Sequence, residues 1–249
     1  GRGIEDIKRT HMSYYELVSA FPESSASASR LALRARQLGY AGIIICNRDP
    51  ARIFMQETAQ MIKGIDVVVG AEAGCEEAGA ANRAAGRSGG CRALKSRIGS
   101  LRSKYPFLMV RGYSDEAVRT AAEDPNVDLL IHPCEGRRPL TIATARASRQ
   151  NSLAMGFDLS PMMLMRGSPR ARWLESLRHN LDLVRKFHLS IMITAGASSH
   201  LDLRSPRDLM AMAEIAGFEA DETEQALSLP GRLVELNCRK WAGPGVEIL

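Results

Sequence analysis

No apolar run in this 249-residue chain reaches the roughly 20 residues that a membrane-spanning helix requires, which excludes insertion of that kind. The five cysteines, Cys46, Cys75, Cys91, Cys134 and Cys238, are odd in number, widely spaced and without a C-x-x-C pair, and no secretory leader stands ahead of them. That usage fits a soluble protein of a reducing cytoplasm rather than a disulfide scaffold. No two histidines sit at ligand spacing, since neither H-x-H nor H-E-x-x-H occurs, so the usual zinc-hydrolase signatures are missing. After the first strand candidate, Val18-Ser-Ala-Phe-Pro-Glu23 offers nothing of the G-x-G-x-x-G type, which argues against a dinucleotide-binding open sheet.

Hydrophobic residues make up 45% of the chain, enough for one substantial core, and α/β barrels of this length routinely form a single domain. Residues 1–11, from Gly1 to His11, precede a methionine, show no apolar period and read as a cloning remnant, so residues 12–249 are taken as one domain. The formal charge is +5, and the remnant accounts for one unit of it (Arg2, Lys8 and Arg9 against Glu5 and Asp6), so the basic bias belongs to the protein itself. An anionic partner or a merely basic surface would both satisfy that bias.

Short β-branched runs alternate with helical periods. The strand candidates are Tyr14 to Val18, Gly42 to Cys46, Asp66 to Ala71, Phe107 to Arg111, Asp128 to His132, Leu153 to Leu159 and Ser190 to Ala195. Gly-Ile-Ile-Ile-Cys and Asp-Val-Val-Val-Gly are nearly all apolar, the pattern of strands buried on both faces in a parallel sheet. Between strands, Trp173, Leu174, Leu177, Leu181 and Val184 repeat at helical spacing, and Leu31, Ala32, Ala35 and Leu38 form a stripe that Gly39 should end. Repeated βα units with right-handed crossovers, seven or eight of them in this length, predict an α/β barrel.

Two stretches are unusually basic. Residues 83–104 carry Arg83, Arg87, Arg92, Lys95, Arg97, Arg102 and Lys104 with no acid, threaded by four glycines, and read as an insertion near 75–104 made of a loop with one helix. Residues 137–172 carry Arg137, Arg138, Arg146, Arg149, Arg166, Arg170 and Arg172 against Asp158 alone. Solvated surface and RNA contact are both open readings of such runs. In a βα barrel, functional groups gather at the carboxyl ends of strands, here Asn47, Glu72, Arg111, His132, Asp158 and the segment after Ala195. Glu72, His132, Asp158 and His200 are the residue types that ligate a divalent cation, which keeps a metal-dependent phosphoesterase as the alternative. The thiols, with no recognisable base beside them, read as inert.

Near the end, Ser205 is an N-cap candidate, Pro206 suits the first helical position, and Asp208 complements the positive helix end. Arg204 and Arg207 bracket that start, where either an anion or a salt bridge to Asp202 or Asp208 would hold them. The run Leu201-Asp-Leu-Arg-Ser-Pro-Arg-Asp-Leu209 continues through Ile215-Ala-Gly-Phe218 to a final helix around Glu224 to Glu235. Upstream stand Val127-Asp-Leu-Leu-Ile-His-Pro133, Gly136-Arg137, Met155-Gly-Phe-Asp-Leu-Ser-Pro161 and the helix of Arg172 to Lys186. In that order these motifs resemble the archaeal RNase P protein component 3 family, over most of Tyr14 to Asn237.

The resemblance implies an irregular TIM-type (β/α) barrel of about seven parallel strands, similar to the polymerase and histidinol phosphatase superfamily. Enzymes of that superfamily bind metals through an early histidine pair, which Tyr14-Tyr-Glu-Leu-Val-Ser-Ala-Phe21 does not contain. It further implies an archaeal RNA-binding subunit with no catalytic residue, metal or cofactor of its own, and magnesium ions needed only by the catalytic RNA. The implied partners are that RNA, protein component 2, the other RNase P proteins and, through the holoenzyme, precursor tRNA. Arg119, Arg137, Arg204 and Arg207 fall on basic positions of the family pattern and become the RNA-contact candidates, with Arg149 as a fifth. For Arg119 an i,i+4 pair with Asp115 or Glu123 competes.

Overall fold

A computed structural model describes residues 13–19, 27–47, 62–74, 90–131, 139–239, 241–243 and 246–247. The proposed remnant, the first part of the basic insertion and Arg137 lie outside the described residues. Strands β1 (Tyr15–Ser19), β2 (Gly42–Asn47), β3 (Asp66–Ala73), β4 (Leu108–Arg111), β5 (Leu129–Ile131), β6 (Ala154–Asp158) and β7 (Ile191–Thr194) follow one another in a single sheet, all neighbours parallel. Around them run helices α1 (Ala28–Gln37), α2 (Gly90–Arg102), α3 (Asp115–Glu123), α4 (Ile142–Gln150), the short α5 (Ser160–Leu164), α6 (Gly167–Lys186), α7 (Pro206–Ala216) and α8 (Ala220–Cys238). A small antiparallel pair, β8 (Trp241–Gly243) with β9 (Val246–Glu247), follows. No described helix is long and apolar enough to cross a membrane.

The helices begin where short polar side chains relieve unpaired backbone donors. Ser27, Ser114, Thr141 and Ser205 accept from the N–H three residues on, at 3.3, 3.2, 3.2 and 3.1 Å respectively. Ser205, Pro206 and Asp208 therefore play the parts expected of them at the start of α7. Gly39 follows α1 with φ +95°, a left-handed conformation that favours glycine. The second part of the basic stretch is α2, a regular outer helix that buries Leu94 and Ile98 against the core.

All six residues of β2 are buried, as a nearly all-apolar parallel strand requires. Period-two alternation divides them: Ile44 and Cys46 join Leu17, Val68, Met109, Leu129, Ile131, Ala154 and Met192 in the barrel lumen, while Ile43 and Ile45 join Val67, Val69 and the α1 stripe outside. Cys46 thus lies within β2, a buried thiol.

The barrel is not closed by a continuous ladder, since among the described residues β1 and β7 stand at the two edges of the sheet. Ser19 N–H donates to Ala197 O at 3.2 Å across the seam. Deeper down, the buried Glu16 carboxylate accepts from Thr194 Oγ1 at 2.7 Å, Ala195 N at 3.1 Å and Tyr40 Oη at 2.8 Å, so a side chain does work that a neighbouring strand would do. Helix α8 packs on both β1 and β7, and Leu229, Leu233 and Val234 reach the luminal cluster. Its close approach uses Gly231, where a Cβ would come within 2.5 Å of the Tyr15 ring.

Candidate functional site

At the carboxyl mouth of the barrel, Ser19, Glu72, Arg111 and Asp158 end their strands on the luminal face, each two residues beyond a luminal position. Arg111 is the hub. Its Nη2 donates to Ser19 Oγ at 2.8 Å, its Nε donates to Glu72 Oε1 at 3.3 Å, and its Nη1 lies 3.7 Å from Asp158 Oδ2. Ser19 Oγ in turn donates to Glu72 Oε2 at 3.1 Å, and Ser160 N–H donates to Asp158 Oδ1 at 2.8 Å. Glu72 is 1% exposed, and the side chains of Arg111 and Asp158 are 16% and 21% exposed, so water screens this cluster weakly. Burial opposes the Arg111 charge most strongly, yet the fields of Glu72, Tyr113 and Asp158 with the Glu72 hydrogen bond hold the guanidinium above its ordinary pKa. Burial first, and then Glu72, push the nearby Cys46 thiol well up, so it stays protonated and inert.

Of the strand-end residues singled out for metal binding, the structure gathers Glu72 and Asp158, and sets Arg111 between them. Asn47, on the same face of β2 as Ile45, is buried, and its amide makes no hydrogen bond among the described residues. His200 sits in the loop after β7 with Nδ1 buried and without a hydrogen-bond partner among the described residues, and His132 lies outside the described residues. Among the described residues no three His, Cys, Asp or Glu side chains gather to hold a metal ion. A carboxylate pair already bridged by a guanidinium does not fit a divalent cation, and the metal-dependent phosphoesterase is not favoured.

The arginine candidates are distributed over different faces. Arg119 stands on the outside of α3, 79% exposed, with Nε donating to Glu123 Oε1 at 3.1 Å in the i,i+4 pair that competes for it. Arg149, in the last turn of α4, donates from Nη1 to His188 O at 2.8 Å, at the amino end of β7. Arg204 and Arg207 lie at the opposite, carboxyl end. Arg204 donates from Nη1 to Leu201 O at 3.1 Å and Leu203 O at 3.0 Å, with Nε 3.3 Å from Met163 Sδ, so backbone carbonyls hold it rather than Asp202 or Asp208. Asp202 instead accepts from Ser199 N at 2.9 Å, and Asp208 from Ser205 Oγ at 2.8 Å. Arg207 is exposed in the first turn of α7 and makes no ion pair among the described residues.

The contact with Met163 joins the loop after β7 to α5, the helix that leads into the exposed Arg166 and the partly buried Arg170, whose Nε donates to Met165 O at 2.7 Å. Two helices, α6 and α7, start at this rim, and their dipoles add positive potential. Arg166 and Arg170 were visible only as part of a basic run, and a contact between residues 163 and 204 has no local signature that marks them out.

Residues 13–242 match the family model for RNase P subunit p30. The chain is 33% identical over 237 residues to ribonuclease P protein component 3 of Methanosarcina acetivorans, covering 93% of each. It is 30% identical over 234 residues to the Haloarcula marismortui protein of that name, covering 94% of each. Among solved structures, a chain in the cryo-EM structure of archaeal ribonuclease P with mature tRNA superposes with a TM-score of 0.75 at 19% identity, over 94% of this chain and 97% of that one. An amidohydrolase solved with bound Zn shares the fold alone, with a TM-score of 0.57 at 12% identity over 82% and 66% of the two chains. With the family model matching residues 13–242 and two relatives aligned over more than nine-tenths of each chain, the chain belongs to the RNase P subunit p30 family.

Proposed function

We propose that this chain is a protein subunit of ribonuclease P, supporting the RNA-catalysed removal of the 5′ leader from precursor tRNA as an RNA-binding scaffold. The observation that carries the reading is the agreement of family and fold along nearly the whole chain, with relatives named ribonuclease P protein component 3 and with a chain of an archaeal ribonuclease P particle. The arginine-bearing carboxyl rim supports an RNA-contacting face, since exposed guanidinium groups beside helix N-termini suit phosphate oxygens. Catalysis on this reading belongs to the RNA and its magnesium ions. The protein works in the cytoplasm alongside the other RNase P proteins, and component 2 is its direct partner.

Reconstitution tests the proposal. Catalytic RNA, component 2 and the remaining protein subunits are assayed for precursor-tRNA cleavage in magnesium with and without this chain. Cleavage should rise when it is added, and equal cleavage in both mixtures refutes the role. Sedimentation of the chain mixed with component 2 should show a new heteromeric species, and two independent boundaries remove that partner from the proposal.

A further inference from the structure

The buried cation at the barrel mouth has a consequence separate from RNA binding. Arg111 directs all three guanidinium nitrogens into the cluster: Nη2 to Ser19, Nε to Glu72 and Nη1 toward Asp158. The two carboxylates reach the mouth from strands that do not adjoin one another, β3 and β6, so only a group in the lumen can bridge them. The backbone around them is shaped to the same end. Gly196, in the loop after β7, adopts φ +61°, and a Cβ there would collide with the Asp158 carboxylate. Ser160 N–H fixes Oδ1 of that carboxylate, while Arg111 faces Oδ2. The carboxyl mouth is where barrels of this class place their chemistry, and a barrel of similar fold has been solved with bound Zn.

We infer that Arg111 is a resident cation in the carboxyl mouth of the barrel, and that by bridging Glu72 and Asp158 it keeps divalent cations out of the mouth. A divalent ion entering between those carboxylates would have to displace the guanidinium or lie against it in a weakly screened site. Without Arg111, two carboxylates and the Ser19 hydroxyl remain facing one another, oxygen donors of the kind that Mn2+ accepts. The arginine is therefore what separates this mouth from a cation site.

Mn2+ is the probe, used with the full chain and no RNA present. Free Mn2+ is followed by electron paramagnetic resonance, and thermal unfolding is followed with and without the ion. The unsubstituted chain should bind no stoichiometric Mn2+ and keep its Tm. Arg111→Ala should lose several degrees of Tm, bind Mn2+ stoichiometrically and recover Tm as the ion is added, because a ligand that binds only the folded state stabilises it. Glu72→Gln with Asp158→Asn in the Arg111→Ala background should abolish both the binding and the recovery. Stoichiometric Mn2+ on the unsubstituted chain overturns the inference, as does a folded Arg111→Ala variant indifferent to Mn2+, or recovery that survives loss of both carboxylates. If Arg111→Ala is unfolded on its own, cooperative unfolding restored by Mn2+ upholds the inference and its absence overturns it.

Discussion

Glu16 makes the seam of the barrel sensitive to pH, in a direction opposite to that of a surface carboxylate. It is fully buried, and desolvation pushes its pKa from 4.5 up to about 7, against the hydrogen bonds from Thr194, Tyr40 and Ala195 that favour the ionised form. Thr194 Oγ1 also lies 3.1 Å from Leu17 O, so its hydroxyl can donate there and accept a hydrogen bond from the Glu16 carboxyl, which accommodates the neutral acid. The folded chain therefore holds this proton more tightly than the unfolded chain does. Stability from this group is complete below about pH 4.5 and is lost as the pH rises through about 7. At about 1.4 kcal/mol per pH unit, that displacement is worth about 3–4 kcal/mol.

Glu16→Gln, which stays neutral, isolates the effect. Urea unfolding of the two proteins at several values between pH 4.5 and pH 8 should show the advantage of the unsubstituted chain over the variant shrinking by about 3–4 kcal/mol as the pH rises, with other titrating groups cancelling in the difference. Glu16→Ala should cost about 3–5 kcal/mol near neutral pH, because Tyr40 Oη and Ala195 N lose their acceptor and a cavity opens. Parallel stability curves for Glu16→Gln and the unsubstituted chain across the whole range would refute the reasoning, since the seam carboxyl would then keep its ordinary affinity for protons.

At the rim, Arg207→Ala should change stability by less than about 0.5 kcal/mol, weaken RNA binding and lower the log-log salt slope by about one unit; an unchanged slope removes it from the RNA face. Arg204→Ala should cost a further 1–2 kcal/mol or so in denaturant titrations, because Leu201 O and Leu203 O lose a charged donor, whereas equal costs for the two variants would contradict the difference in their anchoring. Gly196→Ala should lower stability by about 2 kcal/mol through its left-handed backbone and the displaced Asp158 carboxylate, and an unshifted melting curve would show that the loop moves freely. Asp128→Ala should cost about 3 kcal/mol, since Arg102 at 2.6 Å, Leu108 N at 2.8 Å and Asn237 at 2.9 Å all donate to it; a loss under about 1 kcal/mol would mean that water replaces the carboxylate.

Much of the barrel is legible along the chain because strands and helices are written in local periods. The apolar runs at β2 and β3, the stripe of α1 closed by Gly39, and the Ser205-Pro206 start of α7 each depend on neighbours a few residues away. The strand-end residues Glu72, Arg111 and Asp158 follow from that reading, but their meaning does not. By residue type the carboxylates suggested metal ligands, and only the tertiary structure places a guanidinium 39 positions from Glu72 in sequence within 3.3 Å of it. The seam is likewise invisible in sequence, since Glu16 and Thr194 meet across 178 positions. The arginines illustrate the same division: composition makes them numerous, while packing sends Arg119 to the outer layer, Arg149 to the amino end and Arg204 to the carboxyl rim. Periodicity records which face of an element is buried, but charge has no period, and a charged side chain takes its role from whichever distant segment the fold brings against it.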